Sequence, residues 1–206
     1  MQNNTLDQTV RKNVELNPVR KNELRKHLYH CLQREVIMNE KPFSWWRALH
    51  KALKCPKRRF NFWWRIASYL YHSGSPAKKQ LAYRINRKLI QKYNTEIQLP
   101  AQIAPGLIVT HYLSVVINGC AVIGKNFKIR QNTTIGLSGR GSNHHPKINI
   151  GDNVEVGANS CIIGDNLRIG NNVTIGAMSF INKDIPDDCI VFTEKRNSIA
   201  VKKEKL

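Results

Sequence analysis

Two rulers measure this chain, and one gives way to the other near residue 95. Before it, apolar positions recur at helical spacing. Leu24, Leu28, Cys31, Leu32 and Val36 fall at i, i+4, i+7, i+8 and i+12, one face of a helix. Asn17-Pro18 reads as an N-cap followed by proline at the first helical position. Further helices are expected around Trp45–Leu53 and Phe62–Tyr71. A fourth opens at Ser75-Pro76, with Leu81, Ile85 and Leu89 at spacing four, and Cys55-Pro56 and Ser73 to Pro76 mark the breaks. After residue 95 an aliphatic side chain falls every six positions: Ile97, Ile103, Val109; Ile117, Ile123, Ile129, Ile135; Ile150, Val156; Ile163, Ile169, Ile175, Ile181. Glycine follows many of them. This hexapeptide period predicts a parallel β-helix in which each repeat supplies one short strand and one corner of a triangular coil. The aliphatic points into the prism, and the Gly, Asn or Asp after it tolerates the corner. Small or aliphatic residues four positions on (Thr133, Val154, Ser160, Val173, Ser179) suit a narrow interior.

The six-residue register slips three times: between Val109 and Ile117, between Ile135 and Ile150, and between Val156 and Ile163. Interruptions of a rigid repeat are where function is grafted. The first contains His111. The second is long enough for a loop to leave the prism near 137–147, and it carries Arg140, His144 and His145. The expected organisation is a helical domain over 1–94, a β-helix over 95–192 and a basic tail over 193–206, an α+β architecture.

These interruptions carry a resemblance. The stretch Thr95-Glu-Ile-Gln-Leu-Pro-Ala-Gln-Ile-Ala-Pro-Gly-Leu-Ile-Val-Thr-His111 is similar, without gaps, to the entry into the β-helix of the serine acetyltransferase branch of the hexapeptide acyltransferases. His111 to Ile117 resembles that branch's catalytic-histidine motif, and His145-Pro146-Lys147-Ile148 its second histidine. The resemblance covers about 95–188 and implies a left-handed β-helix that transfers an acyl group from acetyl-CoA to a hydroxyl. It implies His111 as general base, Glu96 as its carboxylate partner, and His145 beside the acceptor or the developing oxyanion. Gly136, Ala158 and Ala177, with Lys183, would meet CoA, and no metal is required. A homotrimer with its sites between prisms is implied, because related β-helices set the histidines of one prism against the CoA groove of the next; pairing of trimers through the helical half is a further expectation.

The chain also departs from that branch. Serine acetyltransferases carry Asp before the catalytic histidine and Arg before the second one, where this chain has Thr110 and His144. Arg140 joins them as an acceptor-side residue. Without that pair of charges the grip on an amino-acid zwitterion is lost. Relatives lacking them acetylate bacterial exopolysaccharides and capsules, so a sugar hydroxyl is the preferred acceptor and serine the alternative. Two readings of another class stand beside these: a zinc lyase using His111, His144 and His145, and a non-catalytic binding scaffold.

Charge adds a partner question. The chain of 206 residues has a formal charge of +19, and residues 1–96 hold 21 Lys/Arg against 6 Asp/Glu. All four tryptophans (Trp45, Trp46, Trp63, Trp64) lie in one stretch, and Lys41 to Arg65 holds eight Lys/Arg and no acid. Peripheral membrane contact through 41–71, binding of an anionic glycan, and packing of the helical half itself all fit this mix. Nucleic acid does not, since no reading motif is present. Five scattered cysteines without a Cys-x-x-Cys pair, a polar N-terminus and no apolar run of about 20 residues point to a cytoplasmic protein, free or at the inner face of the membrane.

Overall fold

The computed structural model describes residues 18–139 and 146–194. Arg140, His144, His145 and most of the basic tail lie outside the described residues. Four helices come first: α1 (Pro18–Leu32), α2 (Trp45–Lys54), α3 (Pro56–His72) and α4 (Pro76–Tyr93). A single π-helical turn, Gln33–Ile37, extends α1 and closes on Met38 in the left-handed region. Helix α3 starts six residues before its expected position, because Pro56 occupies its first turn after Cys55. In α4 the buried positions are Ala82, Asn86 and Leu89, whereas Leu81 is exposed. No helix among the described residues is long and apolar enough to cross a membrane.

The remaining chain winds into a left-handed parallel β-helix. The first coil holds β1 (Thr95–Ile97), β2 (Gln102–Ile103) and β3 (Ile108–Val109). The second holds β4 (Val115–Ile117), β5 (Ala121–Ile123) and β6 (Lys128–Ile129). The third holds β7 (Thr134–Gly136), β8 (Lys147–Ile150) and β9 (Glu155–Val156), and the fourth β10 (Cys161–Ile163), β11 (Asn166–Ile169) and β12 (Thr174–Ile175). β13 (Phe180–Ile181) and β14 (Ile190–Val191) belong to the last. Every pairing is parallel, and the strands stack into three faces: β1-β4-β7-β10-β13, β2-β5-β8-β11 and β3-β6-β9-β12-β14. The aliphatic ladders fill the interior together with Thr133, Ser160 and Ser179.

Two details differ from the six-residue reading. In β10 the interior residue is Ile162, fully buried and in register with Ile135 and Ile181, while Ile163 is half-buried. The extra residue of the third slip therefore falls after Ile162 rather than before it. Adjacent isoleucines are interchangeable to a period count, and stacking on the neighbouring coils decides between them. The corners also divide their labour differently. Left-handed conformations are taken by Asn126, Asn132, Asn153, Asn159 and Asn172. The glycines after the aliphatics serve close approach: a Cβ on Gly151 would lie 2.7 Å from the Gly170 carbonyl carbon.

Coil one would leave the carbonyls of an edge strand unpaired. The helices cover that end. Trp64 Nε1 and Asn86 Nδ2 donate to the Ile97 carbonyl (3.1 and 3.3 Å), and Asn61 Nδ2 donates to that of Leu107 (3.0 Å). Arg65 reaches the carbonyls of Ile103 (2.6 Å) and Ala104 (2.9 Å) and pairs with Glu35, whose carboxylate accepts the backbone N–H groups of Gly106 and Leu107. The arginine that interrupts an apolar stretch of sequence is thus 3% exposed at the junction.

Candidate active site

The first slip forms a bulged bend at the edge between the third and first faces. Chain enters it from β3, with Thr110 N–H donating to Ile129 O (3.0 Å). The bend tightens where Leu113 N–H meets His111 O (3.0 Å). Ser114, at φ 52°, then donates its N–H to Asn94 O (2.7 Å) and leads into β4. The residues beyond a regular corner push His111 outward, so its imidazole is exposed.

Tyr112 turns the other way. Its hydroxyl donates to the Lys57 carbonyl (2.6 Å), with Asn61 Oδ1 at 3.4 Å, and its ring packs on Phe60 and Tyr93 at centroid distances of 4.7 and 5.5 Å. Burial pushes this phenol well above its usual pKa, so it stays a donor across the accessible pH range. The bend carrying His111 is therefore tied to the first turn of α3. Tyr112 was missed in the sequence, where the one available signal was an aromatic residue directly after the histidine inside a register slip.

Register places Gln131, Ala158 and Ala177 at the positions of later coils that stack along this same edge. Ala158 is half-buried and its carbonyl accepts Met178 N–H (2.7 Å), and Ala177 is exposed. Gln131 stands next to His111 on this edge, and beyond it the small side chains of Ala158 and Ala177 continue along the prism. Thr110 has a buried hydroxyl without a hydrogen-bond partner among the described residues. Beside this edge Glu155 pairs with Lys128 and Arg130, both at 3.0 Å, and these contacts hold its carboxyl below the usual carboxylate range.

Glu96 stands on the first face, in the outward ladder Glu96, Val116, Thr134, Cys161, Phe180. Its carboxylate accepts Gln98 Nε2 at 3.3 Å. Among the described residues no hydrogen bond or ion pair joins it to His111. Gly136 and the exposed Lys183 lie at a different edge, between the first and second faces, where the long loop departs. Asp165 anchors both ends of that loop, through Ser138 N–H (3.0 Å) to its carboxylate and Lys147 N–H (3.0 Å) to its carbonyl. Within one chain, then, His111, Thr110, Ala158 and Ala177 share one edge, and Gly136 and Lys183 share another. Among the described residues no three His, Cys, Asp or Glu side chains gather as a metal site.

No family model matches the chain. Individual proteins do. Serine acetyltransferase of Synechococcus elongatus is 36% identical over 128 residues, 62% of this chain and 50% of that protein. The putative colanic acid biosynthesis acetyltransferase WcaB of Escherichia coli is 40% identical over 120 residues, 58% of this chain and 71% of that protein. Among solved structures, serine acetyltransferase isoform 3 of Entamoeba histolytica in complex with cysteine shares the fold, with a TM-score of 0.66 at 24% identity, covering 88% of this chain and 62% of that one. The chain spans half or less of the serine acetyltransferases it matches in sequence. With the coil, the bulged histidine edge and the extent of the match to WcaB taken together, the chain belongs to the hexapeptide-repeat acyltransferases, in the branch that holds the serine acetyltransferases.

Proposed function

We propose that this protein transfers an acetyl group from acetyl-CoA to a hydroxyl of a sugar in a surface polysaccharide, with His111 as general base. The observation that carries this reading is the bend itself: an exposed histidine, pushed out of a regular coil and braced by Tyr112, on the edge that also carries Ala158 and Ala177. The imidazole takes the proton of the acceptor hydroxyl as that oxygen attacks the thioester carbonyl. The carbon–sulfur bond then breaks, CoA leaves as the thiol, and the proton it gains is the one the histidine removed. The pantetheine arm lies along that edge. In this reading His145 meets the acceptor or the oxyanion, and Glu96, on the first coil with His111 at its end, is the carboxylate that orients the imidazolium. His144, Thr110 and Arg140 line the acceptor side.

The two edges that carry the candidate residues meet if prisms associate. In a homotrimer the His111 edge of one copy faces Gly136 and Lys183 of the next, which completes a site that one chain leaves divided.

For the acceptor, Thr110 favours a sugar. It supplies a neutral hydroxyl where an amino-acid substrate needs a carboxylate for its ammonium group, and WcaB, named for colanic acid biosynthesis, is among the relatives. Serine is the second reading, favoured by the similarity to serine acetyltransferases. Release of CoA thiol from acetyl-CoA, measured with serine and with an acidic capsular polysaccharide, separates them. The polysaccharide should support turnover and acquire an acetyl ester visible by mass spectrometry. Turnover with serine alone would overturn the sugar assignment and leave the reaction class standing.

A further inference from the structure

Helix α2 packs inward through Ala48 and Ala52, with Leu49 half-buried against the same core, and turns one side to solvent. Trp46 is 81% exposed and Leu53 60% exposed, and with His50 they form one stripe at i, i+4, i+7. Arg47, Lys51 and Lys54 form the stripe beside it, at the same spacing. Met38, just before this segment, is exposed as well. Of the cations from Lys41 to Arg65, only Arg65 has a carboxylate partner among the described residues, and that pair is buried. Here a large aromatic and an aliphatic stand in water beside the exposed Lys54 and the half-buried Lys51 and Arg47, none of them with a carboxylate partner among the described residues, although Arg47 donates to the Pro42 carbonyl (3.0 Å).

Three occupants would cover such a face, and the chemistry separates them. The same face of a second copy would bring cation against cation, with no acid from 41 to 65 to relieve the repulsion. A soluble polyanion would use the cations and leave Trp46 and Leu53 in water. An anionic lipid surface uses both stripes, because indole sits well at the headgroup level and lysine and arginine meet lipid phosphates. We propose that α2 docks this protein on an anionic lipid surface, with Trp46 and Leu53 in the headgroup region and Arg47, Lys51 and Lys54 against the phosphates.

The position of this face gives docking a consequence. Lys57, just past the C-terminal end of α2, holds Tyr112 through its carbonyl, so the docking helix leads directly to the support of the His111 bend. A docked enzyme would offer that edge to an acceptor carried at the same surface. The consequence rests on the acyl-transfer reading, whereas docking itself is measured without acetyl-CoA or acceptor.

The test floats the full chain with vesicles of phosphatidylcholine alone and of phosphatidylcholine with about one-third phosphatidylglycerol. Binding should appear with the anionic vesicles only, shift tryptophan emission to the blue, and fall steeply with salt. Trp46→Ala should keep the fold and reduce both binding and the blue shift. Lys51→Ala with Lys54→Ala should weaken binding roughly thirtyfold, from about 1 kcal/mol for each cation near the surface. Absence of wild-type binding at low salt would overturn the proposal, as would equal binding by these variants. So would a Trp46→Ala variant that binds no vesicles but changes its assembly mass without lipid, which would make the face a contact between copies. Binding abolished by a soluble sulfated glycan, with no blue shift on vesicles, would instead assign the face to a polymer.

Discussion

His111 and Tyr112 are neighbours in sequence with opposite fates. Two residues added to a corner turn the imidazole out to solvent and the phenol in against Phe60 and Tyr93. If His111 acts as the proposed general base it must hold its position to within a fraction of an ångström, since a misplacement of about 1 Å can cost about a hundredfold in rate. The Tyr112 hydroxyl, bonded to Lys57 O, supplies part of that hold. Tyr112→Phe keeps the ring packing and removes the tether. Its kcat should fall about tenfold with KM for acetyl-CoA unchanged, and stability to urea should drop by about 1 kcal/mol, the net worth of one hydrogen bond. A merely structural tyrosine would show the stability loss alone. At Thr110 the hydroxyl is buried and without a hydrogen-bond partner among the described residues, and in the proposed site it is a neutral group where an ammonium would need a charge.

At the scale of elements, the helices end the β-helix as much as they precede it. Glu35, carried on the π turn after α1, and Arg65, carried on α3, form a buried ion pair that also satisfies two carbonyls and two N–H groups of the first coil. Glu35→Ala leaves a buried guanidinium without its counter-ion, and equilibrium unfolding should register a loss of about 3–5 kcal/mol. Glu35→Leu combined with Arg65→Met should recover only part of that, because the Ile103 and Ala104 carbonyls still lose their donors. This pair was illegible in the sequence. Its members lie thirty residues apart, and a lone arginine in an apolar stretch looks like an interruption until its partner is placed. The β-helix was legible because each coil repeats one interior position, so the period survives local ambiguity. What a period cannot decide is which of two adjacent isoleucines points inward, and Ile162 rather than Ile163 is chosen by its stack on Ile135 and Ile181. His111 was legible as a break in the coil. The division of candidate residues between two edges was not, since edges are defined only once strands are in register.

For the whole molecule, that division makes assembly a requirement of the proposed chemistry. His111→Ala damages one edge. Gly136→Leu fills the other, and its Cβ would meet Ile163 Cδ1 at an ordinary 3.6 Å, so the variant should fold. Each alone should be inactive, and mixing the two after partial unfolding and reassembly should restore measurable turnover, because some sites then combine two intact edges. Recovery that fails despite assemblies of the correct mass would place the complete site within one chain. The central claim remains that His111 removes the proton from the acceptor hydroxyl. It is tested most directly by CoA release from acetyl-CoA in the presence of the acceptor, comparing wild type with a folded His111→Ala variant of the same assembly mass. The account predicts a loss of about 10²–10⁴ in kcat, the usual contribution of a positioned general base. Turnover within a factor of a few of wild type would contradict it.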